Sequence, residues 1–201
     1  MARTNIVNVG YRSTNFWVVS AGTSRLMVDL GWPGMMGDLR AAMKRMDVPI
    51  GEIKYGLATH YHMDHAGLAQ DLKRLGMKLL VLETQAAWIA PMKKFMKPAD
   101  NYTDITLDDN VNITFAASRA LLAKIDLAGQ IVTTPGHSDD SVSLLLDGGE
   151  VFTGDLTPLQ LAGEQDGAAV AGSWRALREL GATTVYPGHG PTRYMPTDIP
   201  G

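Results

Sequence analysis

Residues 59–65 read T-H-Y-H-M-D-H, which places three imidazoles, His60, His62 and His65, and the Asp64 carboxylate within six residues. Neutral imidazole nitrogens and carboxylate oxygens are donors that suit zinc, iron or manganese, and a cation offsets the cost of desolvating several of them together. The chain has five histidines, and the other two stand in short motifs of similar character: His137 ends T-P-G-H and His189 lies in Y-P-G-H-G. Asp155 closes a further one, F-T-G-D. A solvated loop or a core histidine satisfied by backbone carbonyls accounts for a lone imidazole, but not for this crowding. There is no cysteine, so thiolate ligands and disulfides are excluded and any cation must be held by nitrogen and oxygen.

The surrounding pattern shows what positions these groups. β-branched and apolar runs at 6–9, 16–20 and 26–29, separated by turn residues such as Gly22 and Ser24, predict an antiparallel meander. Met36, Leu39, Met43 and Met46 recur at helical spacing and predict a helix over 36–46 that stops before Pro49. A strand at 55–59 then delivers the histidine cluster at its carboxyl end. Next come a helix at 68–75 halted by Gly76, a buried strand at 78–82, and a helix at 84–96 interrupted near Pro91. Strands are expected at 111–115, 130–133, 142–146, 151–153 and 184–186, with helices at 118–125 and 168–180, the last capped by Gly181. Every donor motif therefore follows a strand. Loops leaving strand ends converge while the strands hold them rigid, which is where ions and substrates sit in α/β architectures.

At 201 residues the chain fits a single domain, 1–201. A net charge of -3 and a charged fraction of 19% lack the basic stripe of a nucleic-acid binder, so nucleic acid is not an expected partner. No 18-residue uncharged apolar run and no amino-terminal apolar leader are present, so no membrane association and a cytoplasmic location are expected. The expected partner is a small-molecule substrate, and the patterning carries no signal of oligomeric state.

The order and spelling of the four motifs, T-H-Y-H-M-D-H, T-P-G-H, F-T-G-D and Y-P-G-H-G, resemble the metallo-β-lactamase-fold superfamily over nearly the whole chain. The resemblance implies an α/β fold, an αββα sandwich of two mixed β-sheets flanked by helices. It implies two metal ions, zinc first with iron or manganese as alternatives. His60, His62 and His137 would hold one, Asp64, His65 and His189 the other, and Asp155 would bridge them. Residue chemistry agrees with the bridge, because a carboxylate has two oxygens whereas a neutral imidazole has one free lone pair. A metal-bridging hydroxide, available near neutral pH, would attack an ester, thioester, lactone or amide carbonyl. Asp64 would be the catalytic residue that orients it and carries a proton.

Branches of the superfamily fit unequally. The motifs are glyoxalase II-like, but only twelve residues follow His189, and a helical glutathione-binding carboxyl-terminal region is not expected. Asp139 and Asp140 stand where glyoxalase-like members often show Gly-His, and Pro158 follows the bridging aspartate where lactone hydrolases place a tyrosine. Two other readings stay open: a mononuclear iron sulfur dioxygenase, which would use two histidines and an aspartate, and a non-catalytic metal-binding module.

Further residues have candidate roles. Asp29 in V-D-L-G matches a family position whose carboxylate accepts from a ligand histidine. Gly136, Gly154, Gly188 and Gly190 would let the backbone turn or approach the ions. Tyr61 and Tyr102 are candidate oxyanion donors, Lys93, Lys94 and Lys97 a candidate anion-attracting rim or a solvated helix face, and Trp32 a residue near the pocket mouth.

Overall fold

A computed structural model describes residues 4–199. Its six-stranded sheet comprises β1 (Asn5–Asn8), β2 (Trp17–Ser20), β3 (Arg25–Val28), β4 (Ile53–Leu57), β5 (Lys78–Leu82) and β6 (Val111–Ile113), paired in that order. The first three run antiparallel and the rest join in parallel, so the expected opening meander is present and continues into crossover units. The second sheet has the order β11-β10-β9-β8-β7, from β7 (Gly129–Thr133), β8 (Val142–Leu146), β9 (Glu150–Gly154), β10 (Thr184–Pro187) and β11 (Arg193–Tyr194). It too is mixed, parallel only between β9 and β10.

Alternation along the strands explains why the sheets stack. Trp17 and Val19, Leu26 and Val28, and Leu80 and Leu82 meet Leu144, Leu146 and Phe152 between the sheets. Their neighbours in sequence, Val18, Met27, Leu79 and Val81, face a second cluster with Leu39, Met43, Leu72 and Met92. Those four come from α1 (Met36–Arg45), α3 (Ala69–Arg74) and α4 (Ala86–Met92). On the far side Leu145, Val151 and Val185 pack under Trp174 and Leu177 of α6 (Gly167–Glu179). Successive strand residues point to opposite faces, so a strand covered on both sides reads as a continuous apolar run. The result is the helix–sheet–sheet–helix order expected, with α5 (Phe115–Ala123) contributing Leu122 to the middle layer.

Local differences have local causes. The strand expected at 111–115 stops at Ile113, because the Thr114 hydroxyl accepts from the Ala117 amide at 3.2 Å and caps α5, making Phe115 helical. The helix expected at 84–96 is α4 followed by a tighter turn at Lys93–Phe95, since Pro91 has no amide hydrogen for the ladder. Within the T-H-Y-H-M-D-H segment a one-turn helix, α2 (Met63–Ala66), departs from expectation, as does the two-residue β11.

Candidate metal centre

Strands β4, β7, β9 and β10 end on one side of the sandwich, and the loops leaving them carry His60, His137, Asp155 and His189. Two backbone hydrogen bonds tie the segments together beneath these loops: Val142 donates to the Thr59 carbonyl at 2.8 Å and Gly188 to that of Gly154 at 2.7 Å. The turn into α2 puts His62 at the helix entrance and brings Asp64 and His65 toward His189, while the donor atom of His65 also lies within 4.8 Å of those of His60 and Asp155.

All seven expected donors converge. The donor atoms of His60, His62 and His137 lie within 4.8 Å of one another, as do those of Asp64, His65 and His189. In the first trio His62 Nδ1 is 3.0 Å from His60 Nε2 and 3.1 Å from His137 Nε2. In the second, Asp64 Oδ2 is 3.4 Å from His65 Nε2 and 3.2 Å from His189 Nε2. Asp155 faces both, with Oδ1 3.3 Å from His65 Nε2 and Oδ2 3.4 Å from His189 Nε2 and 3.8 Å from His137 Nε2. Of the four glycines, Gly188 spaces the donors: a β-carbon there would sit 2.5 Å from Asp155 Oδ1 and 2.7 Å from His65 Cε1, whereas one on Gly190 would meet nothing.

Behind the donors stands a layer of fixed partners. Asp29, at the end of β3, lies in the left-handed region at φ 62°, which an aspartate tolerates better than most residues. One carboxylate oxygen accepts from the Thr59 amide and hydroxyl, both at 2.8 Å, and the other is 2.9 Å from His65 Nδ1. His189 Nδ1 is 2.6 Å from the Ser13 carbonyl, which can only accept, so Nδ1 carries the hydrogen and Nε2 presents its lone pair to the centre. The Tyr61 amide donates to Asp140 Oδ2 at 2.7 Å, fixing the backbone between His60 and His62. Gln85, fully buried, donates to the Ala58 carbonyl at 2.9 Å and accepts from the Leu82 amide at 3.2 Å.

These contacts set the charges. Burial, reinforced by the neighbouring imidazoles, holds His60 well below the ordinary histidine value. Burial alone would do the same to His65, but the carboxylates of Asp29, Asp155 and Asp64 outweigh it and hold it well above. Despite burial, His65 and His189 hold Asp64 and Asp155 below the usual carboxylate range. His137 is lowered, chiefly by burial.

The donor set fits a cation on two counts. His65 Nε2 and Asp155 Oδ1, 3.3 Å apart, are buried polar atoms that no hydrogen bond satisfies, as are His65 Nδ1 and Asp29 Oδ2, which face each other as an ion pair at 2.9 Å. Three imidazole nitrogens of the first trio also face one another, which neutral rings satisfy fully only around a shared acceptor of lone pairs. A cavity of about 600 Å³ opens beside His137, bounded by Asp139, Glu164 and Asp166. A larger groove of about 1320 Å³, lined by Asn5, Leu127, Asp147 and Tyr186, includes none of the seven donors, and the smaller cavity includes His137 alone.

Other candidates fare differently. Tyr61 is buried in the helix-side core with its hydroxyl unpartnered, so it does not serve as an oxyanion donor, and Tyr102 packs against the same core. Lys93, Lys94 and Lys97 are exposed, and Lys93 pairs with Asp104 at 2.5 Å, as befits a solvated face. Trp32 is half-buried, and its indole donates to Thr14 beside Asp64, close to its expected place. Thr14, Ser13, Asn15 and Gln85 carried no sequence signal, Thr59 registered only as the first letter of the histidine motif, and Asp140 only as a departure from a family spelling.

The profile of the Metallo-beta-lactamase superfamily matches residues 9–189. Beta-lactamase-like protein 2 homolog from Caenorhabditis elegans is 27% identical over 188 residues, covering 90% of this chain and 57% of that protein. Atrochrysone carboxyl ACP thioesterase from Aspergillus fumigatus is 30% identical over 187 residues, covering 89% and 51%. The chain thus spans about half the length of these curated relatives. Among solved structures, a metallo-beta-lactamase family protein from Thermus thermophilus superposes with a TM-score of 0.72 at 16% identity, covering 96% of this chain and 75% of that one.

Proposed function

The chain belongs to the metallo-beta-lactamase superfamily, and from that premise we propose that it is a binuclear metal-dependent hydrolase acting on the ester, thioester, lactone or amide carbonyl of a small molecule. The observation that carries this reading is the pairing of two three-donor sets across one carboxylate, Asp155. His60, His62 and His137 would hold one cation, and Asp64, His65 and His189 the other, with Asp155 between them. Nitrogen and oxygen donors suit zinc, with iron or manganese as alternatives. When bound, such a pair supplies a hydroxide near neutral pH and polarises the carbonyl under attack.

The chain's own residues do the rest. Asp64, ionised and only partly buried, orients the nucleophile and carries a proton to the departing group. Asp29 and Ser13 hold His65 and His189 by their far nitrogens, which fixes the lone pairs they present. The cavity that opens beside His137 is the space next to the centre that a small-molecule substrate would enter. A thioesterase among the relatives favours acyl chemistry over the mononuclear dioxygenase reading, which would also leave several of the converged donors unused. We place residues 1–201 in one metallo-hydrolase domain working in the cytoplasm; no helix among the described residues is long and apolar enough to cross a membrane.

The test is to replace His60 or Asp155 by Ala and measure bound metal and turnover on aryl esters, thioesters, lactones and β-lactams, with and without chelator. Loss of metal and of chelator-sensitive turnover is expected, and unchanged activity would refute the assignment.

A further inference from the structure

Hydrogen bonds from the turn between β1 and β2 reach the second trio in a direction that chemistry alone fixes. Trp32 Nε1 lies 3.1 Å from Thr14 Oγ1, and Thr14 Oγ1 lies 3.2 Å from Asp64 Oδ2. An indole nitrogen only donates and an ionised carboxylate only accepts, so the hydroxyl must accept from Trp32 and give its hydrogen to Asp64. The oxygen it reaches is the one facing His65 and His189. We propose that Thr14 and Trp32 are positioning residues for the second cation, holding the Asp64 oxygen that faces His65 and His189 by a one-way hydrogen-bond chain from indole to hydroxyl to carboxylate. The proposal rests on the two-cation reading above.

Thr14 cannot easily swing away. It is 2% exposed and pairs as an isolated bridge with both Tyr11 and His189. On its flanks the Ser13 carbonyl takes His189 Nδ1, and the Asn15 amide donates to the Gly188 carbonyl at 2.7 Å. The Asn15 side-chain amide donates to the carbonyls of Pro187 at 3.0 Å and Gly190 at 2.8 Å. Trp32 is held as firmly: its backbone amide donates to the Tyr11 hydroxyl at 3.1 Å, and the Arg12 guanidinium lies over its ring, 5.4 Å from the centroid. Arg12 itself sits at φ 56°, a conformation an arginine adopts only when its surroundings demand it. One short segment thus touches two of the three donors of the second trio.

The experiment titrates chelator-stripped protein with Zn²⁺ against a competing indicator and reads the dissociation constants of the first and second equivalents separately. Thr14→Val should leave the first equivalent unchanged and weaken the second about 10- to 100-fold, the range for partners that orient a metal ligand. Thr14→Ser, which keeps the hydroxyl, should restore the second equivalent to within about threefold of wild type, and Trp32→Phe should fall between the two variants. If Thr14→Val does not accumulate, Thr14→Ala removes the same hydroxyl and reads the same quantity. A second equivalent as tight in Thr14→Val as in wild type, or weakened equally in Thr14→Ser, overturns the role of Thr14. A Trp32→Phe protein indistinguishable from wild type overturns that of Trp32. A wild-type protein taking up one equivalent overturns the two-cation reading first, and this proposal with it.

Discussion

The two halves of the candidate centre are built from different chemistry. The first trio is imidazole only, and His62 and His137 are open to solvent. The second is carboxylate-rich: His65 is fully buried between Asp29, Asp64 and Asp155, and the turn at residues 11–15 braces Asp64 and His189. In the metal-free protein this makes His60 reluctant to take a proton and His65 reluctant to lose one. Ligands must be deprotonated to bind a cation, so a negative pocket attracts the metal but also makes it compete with a proton. His60 escapes that competition by burial, whereas His65 trades it for charge and rigidity.

The largest effect should come from the residue both halves share. Asp155→Ala should strip both cations and cut turnover by about 10³-fold, equivalent to several kcal/mol of lost charge stabilisation, read by elemental analysis and kcat/KM. Loss of one cation only would break the symmetry of the bridge. Next, uptake by the second trio should release a proton from His65, so its apparent dissociation constant should rise about tenfold per unit as pH falls below the raised value. Uptake by the first trio should lack that dependence on His60 near neutrality. Equal slopes for both equivalents would dissolve the contrast.

Asp29→Asn should weaken the second equivalent about 10- to 100-fold and spare the first. It should also alter the stability of the metal-free protein. The raised His65 contributes stability that is fully present below its unfolded value, about 6.5, and lost as pH rises through the folded value. His60 acts oppositely, since below about 6.5 the unfolded chain binds a proton that the buried ring refuses. Melting temperature against pH should therefore fall on both sides, and Asp29→Asn should flatten the alkaline side alone. A flat wild-type profile would contradict both assignments. Smallest of all, Lys93→Ala should leave metal content and turnover unchanged, because its partner Asp104 is an exposed surface carboxylate. A fall in turnover on anionic substrates would return the lysines to the rim of the site.

Much of this was legible in the residues. Covered strands such as β5 and β8 announce themselves as apolar runs, and the meander, the helices near 36–46 and 168–180 and the strand-end position of each donor motif follow from periodicity. Boundaries moved where a single group decided them, as with the Thr114 cap and Pro91. Asp29 is legible through its match to a family position, whereas Tyr61 is not. Its position between two donors says nothing about which way its ring turns, and the packing of that ring into the helix-side core settles that.

The sequence by itself determined the donor types, their order along the chain and the covered strands that carry them, because those depend on side-chain chemistry and on periods of two or 3.6 residues. The family resemblance also implied which donors pair and that Asp155 lies between them; only the tertiary structure decided that Thr14, Ser13 and Asn15 brace residues 187–190. Hydrogen bonds between segments more than 170 residues apart leave no local pattern, since an uncharged threonine or a backbone carbonyl looks the same in any loop until the sheets bring a partner to it.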